Sequence, residues 1–232
     1  MIEIRAFNTL GQFRNDWLTA RHHFSFSNYR NPARDQWGAI RVWNDDEIEP
    51  GQGFTPHSHK DMEIITYVRE GAITHKDSLG NEGRTGAGDV QVMSAGTGIT
   101  HAEMNLEDER TKLFQIWITP ETTGTPPSWG AAKFPQSERD GQFAILASGF
   151  EEDGDVLHIR QKARVLGASL KAGQSITYNL QDGRHAYLVN AAGVITVNDW
   201  QLDERDAAAI KNEGKLTIVA VVDAQVVLVD AP

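Results

Sequence analysis

Short apolar runs alternate with clusters of turn-forming residues along most of this chain. "GAIRVWNDDEIE" (38–49), "EIITYVREGAITHKD" (63–77), "GDVQVMSAG" (88–96) and "KLFQIWITP" (112–120) are rich in Val, Ile, Thr and aromatic residues. Each is bounded by Gly, Pro, Asn or Asp, the pattern of strands closed by turns. "DSLGNEG" (77–83) suits a hairpin tip, with Gly80 and Asn81 able to take positive φ. Between 120 and 141 there are four prolines and no sustained period, which reads as a linker. From about residue 143 the strand pattern resumes, in "QFAILAS", "VLHIRQKARVLGASL", "HAYLVNAAGVITVN" and "KLTIVAVVDAQVVLVD". Only "DERDAAAIKN" (203–212) has the composition of a short helix, and an irregular turn suits it equally. The pattern predicts an all-β protein built as a sandwich or barrel.

An internal repeat organises these strands. Residues 50–77 align without a gap on residues 172–199, at a constant offset of 122. Gly51-Gln52 falls on Gly173-Gln174, Gly71 on Gly193, and Ile73-Thr74 on Ile195-Thr196. Two copies of one β-unit are expected. The copies differ where chemistry is concentrated: His57 falls on Asn179, His59 on Gln181 and Glu63 on His185.

Composition narrows the classes of function. The 232 residues suffice for one large domain or two small ones with a real core. A formal charge of −10 sets the surface against nucleic acid and anionic membranes, while leaving a protein partner open. There is no cysteine, so disulfides, thiolate catalysis and thiolate metal ligands are all excluded. Any metal must sit on nitrogen and oxygen donors. The opening "MIEIRAFNTL" has no basic region followed by an apolar run, and no stretch is long enough to span a bilayer. A soluble, cytoplasmic protein is expected.

Within "GFTPHSHKDME" (53–63), His57 and His59 are spaced i, i+2 and so share one face of a strand. An isolated pair of this kind is often a packing feature. A second pair, His101 and Glu103 in "SAGTGITHAEMN" (94–105), changes that balance. Two such strands side by side would aim three imidazoles and one carboxylate at a single point. Gly96 and Gly98, just before the second pair, would permit a tight turn or close backbone approach. Three neutral His and one Glu⁻ around a divalent ion leave a net charge of +1. An octahedral ion would then keep two open positions, the mark of catalysis or ligand binding rather than a structural plug. Among other histidines, His75 could line the site but reads better as structural. His22, His23, His158 and His185 carry no assigned chemistry. Phe54 fits either an apolar wall beside an aromatic substrate or ordinary packing.

These motifs resemble the cupin superfamily. Gly51-x5-His57-x-His59-x3-Glu63 is similar to its first motif and Gly98-x2-His101-x3-Asn105 to its second. More narrowly, "HFSFSNY" (23–29), residues 41–71, "HKDSLGN" (75–81), residues 88–105 and "FQIWI" (114–118) resemble the signature blocks of the pirin family. The family's usual His-Pro-His is His57-Ser58-His59 here, a change that lies between ligands. The resemblance implies a bicupin of two tandem jelly-roll β-barrels. The N-terminal domain (1–125) would bind metal; after a linker (126–142), the C-terminal domain (143–232) would lack a complete site. It implies His57, His59, His101 and Glu103 as ligands, normally of iron as Fe(II), with Mn, Co, Ni, Cu or Zn suited to the same donors. Glu63 competes with Glu103, because in many other cupins the first-motif glutamate is the ligand.

The resemblance also implies a function: a dioxygenase cleaving a flavonol such as quercetin with O₂. Glu103 would then be the candidate base, with Glu63 the outside choice, and Phe54 would lie beside the substrate. The alternative is a non-catalytic, iron-containing redox sensor that binds a protein partner. Another cupin reaction, isomerisation or decarboxylation with a different metal, is the third reading.

Overall fold

The computed structural model describes residues 1–134 and 136–232, and nearly every ordered element is a strand. Among the described residues the only α-helix is the single turn Gln136–Arg139. The chain divides into two compact units. One comprises Gly11–Phe134 and Leu157–Gln161; the other comprises Met1–Leu10, Pro135–Val156 and Lys162–Pro232.

Each unit is a sandwich of a large sheet and a four-stranded sheet. In the N-terminal unit the large sheet runs Ser128–Ala132, Val90–Ser94, Glu63–Glu70, Thr111–Ile118, Ile40–Ile48, Leu18–His22, Gly11–Arg14. The small sheet runs Gly53–His59, Ile99–Met104, Ala72–Asp77, Glu82–Gly86. The C-terminal unit repeats this order. Its large sheet contains Ile2–Arg5, Ala207–Lys211, His185–Ala192, Ala224–Ala231, Arg164–Leu170 and Ala144–Ser148 in succession. Its small sheet runs Ser175–Asn179, Lys215–Ala220, Ile195–Val197, Trp200–Leu202. Strand Glu63–Glu70 and strand His185–Ala192 keep the offset of 122 at both ends. The turns that follow them are alike: Gly71 has φ +72 and Gly193 φ +81, a region that disfavours any Cβ. A Cβ on Gly193 would also lie 2.2 Å from Asp223 O.

Four expectations need correction. The sheets form open sandwiches rather than closed barrels, because among the described residues no ladder joins the large sheet to the small one in either unit. Residues 2–5 belong with the C-terminal unit. They pair with Ala207–Ile210, and the alternation in "IEIR" sends Ile2 and Ile4 into that unit's core. Part of the expected linker is an edge strand, Ser128–Ala132, paired with Val90–Ser94. Its prolines, Pro126 and Pro127, precede the ladder and remove no hydrogen bond from it. The helix-prone run within 203–212 is strand Ala207–Lys211, held between two neighbours that override alanine's local preference.

The cores of the two units differ in a way that locates the site. The C-terminal sandwich is filled by one continuous apolar cluster drawn from both sheets, including Leu166, Leu188, Ile195, Ile218 and Leu228. Among the described residues, the apolar packing of the N-terminal sandwich includes one cluster around Ile48, Val68, Ile73 and Leu113 and a separate one around Ile64, Met93 and Ile99. Between them a row of polar residues crosses the large sheet in register: His22, Asn44, Gln115, Thr66, Gln91. The matching row of the C-terminal sheet, which contains Leu188 at the offset from Thr66, is Leu166, Leu228, Leu188, Ala208.

Candidate metal centre

Strand Gly53–His59 lies antiparallel to strand Ile99–Met104, with His57 opposite His101 and His59 opposite Ile99. In the second strand Ile99, His101 and Glu103 are buried while the residues between them are less so. The i, i+2 geometry thus turns all the predicted ligands inward. The ring centroids of His57, His59 and His101 are 4.5 to 5.0 Å apart. One ligand atom from each falls within 4.8 Å of the others. Gly96, with φ +48, makes the turn before the second pair, where a Cβ would lie 2.0 Å from Thr125 O.

The three imidazoles suit a metal ion. His101 is 2% exposed, and its Nε2 has no hydrogen-bond partner among the described residues. A buried polar atom in that position needs a ligand. His57 Nδ1 lies 2.7 Å from Thr55 O, which fixes that nitrogen as the protonated one and leaves Nε2 as a donor to metal. Burial, aided by the neighbouring His57, lowers His59 to about 4. Burial and the imidazoles of His57, His59 and His75 lower His101 to about 3. Both rings are therefore neutral near pH 7, the form that ligates.

Glu103 stands two residues along the same face and is 1% exposed. Its carboxylate is held by three donors. Thr66 Oγ1 donates to Oε1 at 3.0 Å, Gln91 Nε2 to the same oxygen at 2.7 Å, and Gln115 Nε2 to Oε2. The two amides are themselves oriented, since Thr85 Oγ1 donates to Gln91 Oε1 and Trp117 Nε1 to Gln115 Oε1. Burial outweighs these three bonds and pushes Glu103 up to about 7. The cluster within 4.8 Å comprises the three histidines without Glu103. Glu63 is placed elsewhere: it accepts from Ser94 Oγ at 2.6 Å and from the Arg160 amide at 3.1 Å.

His57 and His59 open onto a cavity of about 550 Å³. Its walls carry four aromatic rings, from Trp17, Phe26, Phe54 and Trp117. Phe54 meets Trp17 edge-on at 5.4 Å and His57 at 6.4 Å. His22, Asn44, Asp46 and Gln115 add polar groups. His22 Nδ1 lies 2.9 Å from Asn44 Oδ1. His75 lies outside the cavity lining, with Nδ1 3.4 Å from His101 Nδ1 and Nε2 3.0 Å from Asp77 Oδ2. Its ring stacks on Trp129. Reasoning from ligand spacing alone misses Asn44, Asp46, Thr66, Gln91 and Gln115. For Thr66, Gln91 and Gln115 the sequence carries a signal, a polar residue set among apolar ones in its strand; Asn44 and Asp46 lie in a polar run that gives none.

Fold and site together define a class: a two-domain cupin with a three-histidine metal-ligand cluster in its N-terminal domain. Residues 3–118 match the family model described as Pirin, and residues 145–231 match the model described as Quercetinase C-terminal cupin domain. The chain belongs to the pirin family. It is 60% identical to a pirin-like protein of Caulobacter vibrioides over 100% of both chains. It is 39% identical to a quercetin 2,3-dioxygenase of Escherichia coli, covering 100% of this chain and 99% of that one. The crystal structure of the Escherichia coli bacterial pirin YhhW in complex with nickel(II) superposes with a TM-score of 0.94 at 38% identity. That match covers 100% of this chain and 99% of the other. No helix among the described residues is long and apolar enough to cross a membrane.

Proposed function

We propose that this chain is a metal-dependent dioxygenase that cleaves a flavonol such as quercetin, inserting both atoms of O₂ and releasing carbon monoxide. One observation carries the reading: two of the three clustered imidazoles, His57 and His59, open onto an aromatic-walled cavity of about 550 Å³. A cavity of that size and lining suits a planar aromatic molecule; an enzyme needs such an open path, and a redox sensor does not. The relative named quercetin 2,3-dioxygenase supports it.

His57, His59 and His101 would hold the ion, with Glu103 as the proposed fourth ligand and Fe(II) as the proposed metal. Mn, Co, Ni, Cu and Zn are alternatives suited to the same donors. A bound divalent ion would supply Lewis acidity, making the flavonol 3-hydroxyl easier to ionise. Glu103 is the base we assign for that proton. Its three donors, Thr66, Gln91 and Gln115, hold the carboxyl on the same strand face as His101, and a positioned carboxylate is a suitable general base. Glu63 is not assigned that role, because it is turned to Ser94 and the Arg160 amide, whereas Glu103 shares the inward face of its strand with His101. Phe54 and the other rings would clamp the flat substrate and exclude water.

The test is anaerobic reconstitution with Fe(II), followed by quercetin and O₂, with flavonol loss and carbon monoxide followed together. Stoichiometric carbon monoxide that disappears in His57→Ala is expected. Tight iron binding with neither signal would reject flavonol cleavage and favour the sensing role.

A further inference from the structure

Asp46 lies in the middle of the cavity-facing side of strand Ile40–Ile48. It is 2% exposed and lines the cavity beside the histidine cluster. No hydrogen bond to its carboxyl forms among the described residues, a condition the sheet itself creates. Its register neighbours on the adjacent strands are Ala20 and Leu113, neither of which has a polar side chain. Two residues along the same face, Ile48 is apolar, and Asn44 gives its oxygen to His22. Burial pushes the Asp46 carboxyl well above the usual range, and the nearby Asp45 and Glu103 add to this; Arg69 opposes them only in part.

A buried carboxyl without a partner is among the most destabilising placements a fold can hold. Leucine or alanine at this position would continue the apolar column above and below it. The other buried acids of this unit are bonded: Glu103 by three side chains, Glu63 by Ser94, and Asp45 by Arg69. Asp46 alone among these four presents unused hydrogen-bonding capacity to the cavity.

We propose that Asp46 is the specificity-determining residue of this cavity, hydrogen-bonding a phenolic hydroxyl of the substrate so that polyhydroxylated planar aromatics are selected over bare ones. The inference rests on the flavonol reading above and names the substituents that reading leaves open. The carboxyl can donate to, or accept from, a phenol. A site built to bond a hydroxyl discriminates strongly against an analogue lacking it, because the protein group is then left unpaired.

The experiment is an anaerobic binding titration of the metal-loaded full chain with quercetin and with 3-hydroxyflavone, which lacks the additional hydroxyls. Wild type, Asp46→Ala and Asp46→Asn are compared after metal content and Tm are measured. Wild type is expected to prefer quercetin by about tenfold or more, the value of one buried hydrogen bond to a carboxyl. In Asp46→Ala the ratio of the two dissociation constants should fall towards one, and Asp46→Asn should restore part of it. Tm of Asp46→Ala should stay level or rise, since a merely structural aspartate would lower it. A preference that survives in Asp46→Ala, or wild type that binds both probes equally, overturns the role of Asp46 while leaving the flavonol reading intact. Wild type that binds neither probe overturns both.

Discussion

His75 backs His101: their Nδ1 atoms approach to 3.4 Å, and His75 passes its other nitrogen to Asp77 at 3.0 Å. Both residues are fully or almost fully buried. The chain His101–His75–Asp77 fixes the ring of one metal-site histidine from behind, as carboxylate-bonded partners do in many metal centres.

His75→Ala should therefore weaken metal binding by roughly 10- to 100-fold without removing any atom of the three-histidine cluster. Competition against a chelator measures this, and Asp77→Asn should show a smaller loss in the same direction. An affinity equal to that of wild type would reduce His75 to a packing residue against Trp129.

Glu103→Gln keeps the size of the side chain but removes the proposed base. Turnover of quercetin by the iron-loaded protein should fall by about 10²- to 10⁴-fold, while flavonol affinity changes far less. Loss of affinity with turnover per bound substrate preserved would assign Glu103 to binding instead.

Acid should destabilise the metal-free chain through its histidines. His101 titrates near 6.5 in the unfolded chain and near 3 when folded, so the unfolded chain binds more protons between those values. Stability is thus full above about pH 6.5 and falls as pH drops, by about 1.4 kcal/mol per pH unit for His101 as an upper bound. Glu103 acts in the opposite sense. It holds its proton up to about pH 7 when folded but only to 4.5 when unfolded, so it stabilises at low pH and ceases to as pH rises through 7. Urea denaturation of the metal-free protein from pH 4.5 to 7 should show a flatter pH dependence in His101→Phe and a steeper one in Glu103→Gln. Parallel profiles in all three proteins would refute both assignments.

Phe54→Ala should raise KM for a flavonol by about tenfold with kcat little changed, because the ring forms wall and not chemistry. It should also lower Tm slightly through lost packing on Trp17. A fall in kcat at unchanged KM would place Phe54 in the reacting geometry instead.

Much of this was legible in the chain. Period-2 spacing sufficed to turn His57, His59, His101 and Glu103 to one face, because strand geometry leaves no other choice. The glycine register at offset 122 exposed the duplicated architecture for the same local reason. The missed features are all non-local. Whether Gln115 and Gln91 meet Glu103 depends on which strands become neighbours, and spacing within a strand carries no such information. Likewise, "IEIR" shows its inward face but not which core receives it, and "AAAI" reads as helix until the flanking strands are known.

The leucine row of the C-terminal sandwich shows what the N-terminal one gives up. Leu166, Leu228 and Leu188 each contribute roughly 1.5–3 kcal/mol by burial, where Asn44, Gln115 and Thr66 contribute little beyond the hydrogen bonds they complete. An ion bound among the histidines would supply stabilisation that this layer of core does not. Metal supply would then govern how much of the chain survives as well as how much of it works. In cells starved of the metal it uses, the amount of this protein, not merely its activity, should decline.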